Sequence, residues 1–245
     1  MTTTELQQSI LRAYATSVGL QPAHYYGGAR LRPVVPLETA VGGIFILGAY
    51  PSARFECVGA EKDVPVGDNL GPFEPERYFD GARVRIQKSA DELREFYLEP
   101  LGIARRDCWI TDLVKVFLFK GGHRSKYTRL GATAPPGYER ERFEELAIES
   151  IGWVEKEVAL ARPRLVITLG AEIAGLLRGV DAASARNDLL GGTISSLRFG
   201  SIDIPTVHLA HPGIIMRRGD DERNRWPRLH QEKHIPMLRA ALARM

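Results

Sequence analysis

The sequence predicts a three-layer α/β/α sandwich around a central, mostly parallel, four-stranded sheet, and three observations carry that expectation. Four compact apolar runs each stop at a small or polar residue: Ile44 to Leu47, Cys108 to Asp112, Leu165 to Leu169 and Ile204 to Leu209. Helix-spaced segments separate them. Strands apolar on both faces belong to parallel sheets covered by helices on both sides. Finally, 245 residues that are 44% apolar and 26% charged can fill one substantial core. The expected division is an N-terminal helix and extended arm over 1–43, followed by one α/β domain over 44–245.

Residues Thr4 to Val18 form the first expected helix, with Leu6, Ile10, Ala13 and Ser17 on one face. Pro22, Gly27, Gly28, Pro33 and Pro36 then punctuate an extended arm from Gly19 to Gly43. After the first strand, Ser89 to Leu98 carries a helix-start signal, with Ser89 as N-cap and Glu92 three residues on. The second strand ends at Asp112, with LVKVFLF as an optional continuation. Arg124, Lys126 and Arg129 read as a basic loop. From Glu139 to Ala161, Phe143, Ala147, Ile151, Val154 and Val158 recur at helical spacing, and Arg162-Pro163 closes the helix. Ala171 to Arg178 makes a short helix after the third strand. A last helix fills much of Trp226 to Arg244, bent near Pro236.

Several function classes drop out. The longest apolar runs are far below the roughly 18 residues of a membrane span, and no charged leader opens the chain, so no membrane partner is expected. Cys57 and Cys108 cannot make a disulfide framework and belong to no metal-spaced pair. A cytoplasmic monomer with no metal and no cofactor is the expectation. With 33 basic and 30 acidic residues the net charge is +3, which permits nucleic acid as a partner without demanding it.

In open parallel sheets, ligands bind beyond the carboxyl ends of the strands. That rule gathers Ala49, Tyr50 and Pro51, then Asp112, then Gly170 and Ala171, and finally His211. The last loop, HPGIIMRR, sets Ile214, Ile215 and Met216 before Arg217 and Arg218, with Arg225 further on. Either the apolar trio wedges into a base stack while the arginines hold phosphates, or it begins a buried turn beside a solvated basic face.

These motifs, in this order, resemble the uracil-DNA glycosylase superfamily over about residues 41 to 240. Gly48-Ala49-Tyr50-Pro51 is similar to the family's G-x-x-P turn. Val64 to Gly67 (VPVG) stands where the single-strand-selective branch has Val-Pro-Phe-Gly. Asp112 in WITDLVK falls on the base-reading asparagine, LGAEIA matches an L-G-x-x-A turn, and His211-Pro212-Gly213 matches a His-Pro-Ser loop; Asn224-Arg225-Trp226 is similar to that branch's loop end. There are departures. Ala49 and Tyr50 replace the usual Asp, Glu or Asn, and Gly213 replaces serine. The stacking phenylalanine position falls on Pro65 or Val66, with Phe55 or Phe73 as substitutes. An iron–sulfur cluster needs four cysteines and the chain has two.

The resemblance implies a monofunctional, metal-free DNA glycosylase that hydrolyses the N-glycosidic bond of a flipped-out damaged, deaminated or modified base. The alternatives are a non-catalytic nucleic-acid binder on the same fold, or a small-metabolite hydrolase. Charge builds on the departing base and on the sugar. His211 is then the donor to the base, and Asp112 the carboxylate near the sugar or the reader of the base. An ionised aspartate offers acceptors only, which favours a base with an exocyclic amino group. Ala49, Tyr50, Pro51, Phe73 and Asp68 complete the expected base pocket, with Asp63 as a further acidic reserve. Ile214, Ile215, Met216, Arg217, Arg218 and Arg225 form the expected DNA contact. Tyr50 stacks on the base, blocks the pocket, or simply packs beneath its turn.

Overall fold

The computed structural model describes all residues except 80, 81, 87 and 216–225. Its regular elements in chain order are α1 (Thr3–Ser17), β1 (Ile44–Gly48), β2 (Ala53–Val58), β3 (Glu61–Asp68), α2 (Lys88–Leu93), β4 (Cys108–Asp112), α3 (Gly121–Arg129) and α4 (Phe143–Ala161). There follow β5 (Leu165–Leu169), α5 (Ala171–Arg178), α6 (Ala182–Gly191), β6 (Ser195–Phe199), β7 (Ile202–Leu209) and α7 (Ile235–Leu242). Two-residue and three-residue ladders, Ala23–His24 with Arg30–Leu31 and Arg77–Phe79 with Val84–Ile86, decorate this frame.

The central sheet runs β6-β7-β5-β1-β4. The four strands expected from the sequence are present and parallel to one another, and β6 adds an antiparallel fifth at one edge. Along β1 the side chains alternate between two cores. Phe45 and Leu47 join Trp109, Val166 and the buried face of α1 (Leu6, Ile10, Tyr14) on one side. Ile44 and Ile46 join Ile110, Ile167, Leu93 and Leu238 on the other. Both faces are thereby covered, which is why the strands are buried and mostly apolar along their length.

The arm is extended, and it tracks the outer strand. Ile110 N–H donates to the Glu38 carbonyl at 3.1 Å, Ala40 N–H to the Cys108 carbonyl at 3.1 Å, and Thr39 bridges Trp109 in antiparallel sense.

Some elements differ from the expectation. In α1 the buried face includes Tyr14, whose hydroxyl bonds Ser150 at 2.7 Å. Helix α2 begins at Lys88, so Ser89 lies inside its first turn, and it continues as a π-helical turn over Arg94–Leu98. Segment 113–119 is buried but not a strand, because it leaves the sheet to cover the end of β1. The basic segment around Arg124 is helix α3, anchored by buried Tyr127. The long helix starts at Phe143 after a 3-10 turn over Arg140–Arg142. The last helical stretch is distorted by a π turn at His230–His234, just ahead of Pro236.

Candidate active site

Strands β1 and β4 end side by side, with Gly48 paired to Asp112. The chain then turns away: Leu113 N–H bonds the Gly48 carbonyl at 2.8 Å and Val114 N–H the Ala49 carbonyl at 3.0 Å. This locks the first turn, in which Pro51 is buried and Ala49 half-buried. A side chain at Gly48 is sterically excluded, because a Cβ there would stand 2.1 Å from Asp112 Oδ1 and 2.8 Å from the Phe73 ring. Three elements therefore meet over Gly48.

Phe73 closes the roof. It sits in the left-handed region at φ 57°, an uncommon conformation for a bulky residue, and a clamp holds it there. The Arg105 guanidinium donates to the carbonyls of Phe73 at 3.0 Å and Pro72 at 3.3 Å, and ion-pairs with Glu74 and with Glu38 of the arm. From this position the Phe73 ring lies 6.3 Å from the His211 ring, tilted by 31°.

His211 follows β7, and its turn is set from behind: the Tyr97 hydroxyl, on the π turn, donates to the Ala210 carbonyl. Gly213 N–H donates to His211 Nδ1 at 3.1 Å, so Nδ1 is the lone-pair nitrogen and the ring proton of the neutral form resides on Nε2. Burial lowers the pKa of His211, the Lys120 charge lowers it further, and Glu172 opposes. The ring is neutral at pH 7.

Asp112 is almost fully buried, and no described residue hydrogen-bonds its carboxyl. Burial pushes its pKa up to about 7 against the pull of Lys115. Behind it, fully buried Lys115 spends Nζ on Glu157 (2.8 Å), on the Asp112 carbonyl (2.7 Å) and on Thr111 (2.6 Å).

Tyr50 is half-buried, 6.0 Å from the Phe143 ring and 5.1 Å beneath the Arg140 guanidinium. Burial raises its pKa, so it is no base at neutral pH. Arg140 in turn pairs with Glu172, one residue into α5. That helix follows Gly170, whose φ of 119° only glycine adopts readily.

The structure thus brings Gly48, Phe73, Asp112 and His211 together, with Ala49, Tyr50 and Pro51 on the adjoining turn. It places other expected residues elsewhere. Asp68 spends its carboxyl oxygens on the Tyr25 hydroxyl and the Arg32 N–H, both at 2.7 Å, and so holds the arm rather than facing Phe73 or His211. Asp63 is exposed in strand β3, where the β2–β3 pairing is irregular. Phe55 packs in the aromatic cluster with Phe117 and His123. The wedge expected at Ile214–Met216 is only in part a surface feature: Ile215 is packed in the core because Pro212–Ile215 folds into a helical turn, while Ile214 is half-buried. Met216, Arg217, Arg218 and Arg225 lie outside the described residues. Lys115, the sequence's alternative partner for Asp112, meets its backbone carbonyl rather than its carboxyl, while Arg105, Lys120, Arg140 and Tyr97 were missed as site-shaping groups; none occupies a strand end.

No described helix is long and apolar enough to cross a membrane. A model of the Uracil DNA glycosylase superfamily matches residues 44–231. No curated protein matches the chain.

Proposed function

From the premise that the chain belongs to the uracil DNA glycosylase superfamily, we propose that it hydrolyses the N-glycosidic bond of a nucleobase swung out of DNA into the Phe73–Asp112–His211 pocket. The observation that carries the reading is the tautomer of His211, whose Nδ1 accepts from Gly213 N–H and so leaves the ring proton on Nε2 as a donor. In glycosidic cleavage the base departs with negative charge building on it, and a preorganised donor lowers that barrier. A neutral imidazole N–H supplies such a donor without a prior proton transfer.

Phe73, whose ring lies beside that of His211, is the aromatic that would stack on the base. Asp112 has two roles separated by its protonation. As the acid it presents one O–H donor and one carbonyl acceptor, the same pair an asparagine amide presents, and so fits a uracil-like edge. As the carboxylate it presents acceptors only, which favours an exocyclic amino group or the positive charge developing on the sugar. With its pKa near 7 both forms are populated at neutral pH. An aspartate here is thus compatible with a uracil-like edge as well as with the amino-bearing base that its ionised form favours.

A second reading has its own observation. Ala49 and Tyr50 supply no carboxyl at the first turn, and Tyr50 is tied between Phe143 and Arg140. A non-catalytic base-binding protein would need no more.

Single-turnover assays on duplex and single-stranded oligonucleotides carrying uracil, hypoxanthine, xanthine or substituted cytosines separate the two. Excision of any of these bases, reduced about 10²–10³-fold by His211→Ala, supports the glycosylase. Binding without excision on the whole panel assigns the protein to the second reading.

A further inference from the structure

Apart from the Phe73–Asp112–His211 cluster, a cleft of about 410 Å³ is lined by Ala29, Arg30, Arg32, Arg54 and Asp68. Its walls come from two sources: Arg30 and Arg32 from the arm, which lies outside the superfamily match, and Arg54 from β2. All three arginines are exposed, and none makes an ion pair among the described residues. Elsewhere Arg105, Arg124, Arg129, Arg140, Arg142 and Arg198 each hold a carboxylate.

The one acidic group in the cleft, Asp68, offsets part of this charge through its attraction to Arg32 and Arg54. Both oxygens of Asp68 accept from Tyr25 and from the Arg32 backbone, so its role is to pin the arm against β3. Gly67 makes room for Arg54, since a Cβ there would stand 2.7 Å from the guanidinium. Three cations against one anion leave the cleft net positive. Guanidinium forks match phosphate oxygens well, and three exposed arginines on one cleft suit a row of backbone phosphates.

We propose that this cleft is a second nucleic-acid contact, in which Arg30, Arg32 and Arg54 hold backbone phosphates of the DNA whose base enters the Phe73–Asp112–His211 pocket. The proposal rests on the reading of that pocket as a base site. Its placement is consistent: Ala53 pairs with Asp68 and lies five residues beyond Gly48, a reach of at most about 18 Å. Phosphates recur about every 3.4 Å along one strand of a duplex. The backbone at Ala53, next to Arg54 of the cleft, therefore lies within about 18 Å of Gly48, a span of about five nucleotides.

The test is the salt dependence of DNA binding. Anisotropy titrations of a labelled duplex and a labelled single strand, across a KCl series, would compare the wild type with the triple variant Arg30→Gln, Arg32→Gln, Arg54→Gln. A control triple variant, Arg12→Gln, Arg164→Gln, Arg186→Gln, removes equal charge elsewhere. The slope of log K against log salt should shrink by about 2–3 in the cleft variant, at about 0.7–0.9 per phosphate, and by clearly less in the control. Thermal melting and the single-turnover rate at saturating DNA should not change. Equal slopes in wild type and cleft variant, or an equal loss in the control, overturn the proposal. Thermal stabilisation of the wild type by inorganic phosphate with an unchanged DNA slope also overturns it and assigns the cleft to a free phosphate. A shifted slope in a protein that excises no base keeps the clamp and removes the glycosylase; excision with an unshifted slope does the reverse.

Discussion

Asp112 Oδ1 occupies the space that a side chain at Gly48 would need, 2.1 Å from where its Cβ would stand. The two residues are partners across adjacent parallel strands, so a shift of either disturbs the sheet at its carboxyl end. Gly48→Ala should therefore displace the carboxyl and the Phe73 ring together. The expected cost is about 1–3 kcal/mol of stability, read by urea denaturation, with base excision falling much further than stability. A variant with wild-type turnover would show that Asp112 and Phe73 are free to shift.

Asp112 gives the protein a characteristic pH dependence. Its folded pKa, near 7, lies above the ordinary carboxyl value of 3.8, so the folded state binds the proton more tightly than the unfolded state. Stability should then fall as pH rises between those two values and level off above 7. Asp112→Asn removes this term, so the variant should gain on the wild type by roughly 2–4 kcal/mol between mildly acidic and mildly alkaline buffer. Denaturant titrations at both pH values check the difference; parallel curves would mean that the carboxyl is ionised throughout.

Selectivity should titrate with the same group. On the acid side a uracil-like edge meets a donor and an acceptor; on the alkaline side only acceptors remain. The preference for uracil over an amino-bearing base should decline about tenfold per pH unit above the pKa, and Asp112→Asn should flatten the profile. Competition assays with two labelled substrates measure that ratio directly.

Lys115 and Glu157 are both inaccessible to solvent and 2.8 Å apart. Removing one charge strands the other, so Lys115→Met should destabilise by about 3–5 kcal/mol. The double variant Lys115→Met, Glu157→Leu should recover most of that loss. Thermal melts of the single and double variants decide; if the double variant is no better than the single, the lysine's bond to the Asp112 carbonyl matters more than the pair.

How much of this could be read in advance follows from where each residue gets its position. The strands ending at Gly48, Asp112, Leu169 and Leu209 announce themselves because both faces are covered, and the rule for strand ends then brings Asp112 and His211 together. Strand β6 escapes notice because Ser195–Phe199 is a polar, alternating edge strand. Phe73 was visible only as a substitute aromatic: its place depends on Arg105, which reaches it across more than thirty residues of chain and carries no motif. Asp68 misled because acidic residues near a site look alike in sequence, whereas its use is settled by Tyr25, more than forty residues earlier. The protonation of Asp112 was equally hidden, since it comes from burial rather than from residue type.

The hydrogen bonds between residues 38–40 and strand β4 have a consequence for handling the protein. They occupy the outer rim of the sheet, where an unpaired strand would otherwise offer its backbone to other molecules. A version trimmed to begin at residue 44 would keep every strand of the sheet and still expose that rim. Such a fragment would self-associate, and its inactivity would say nothing about the chemistry of the pocket.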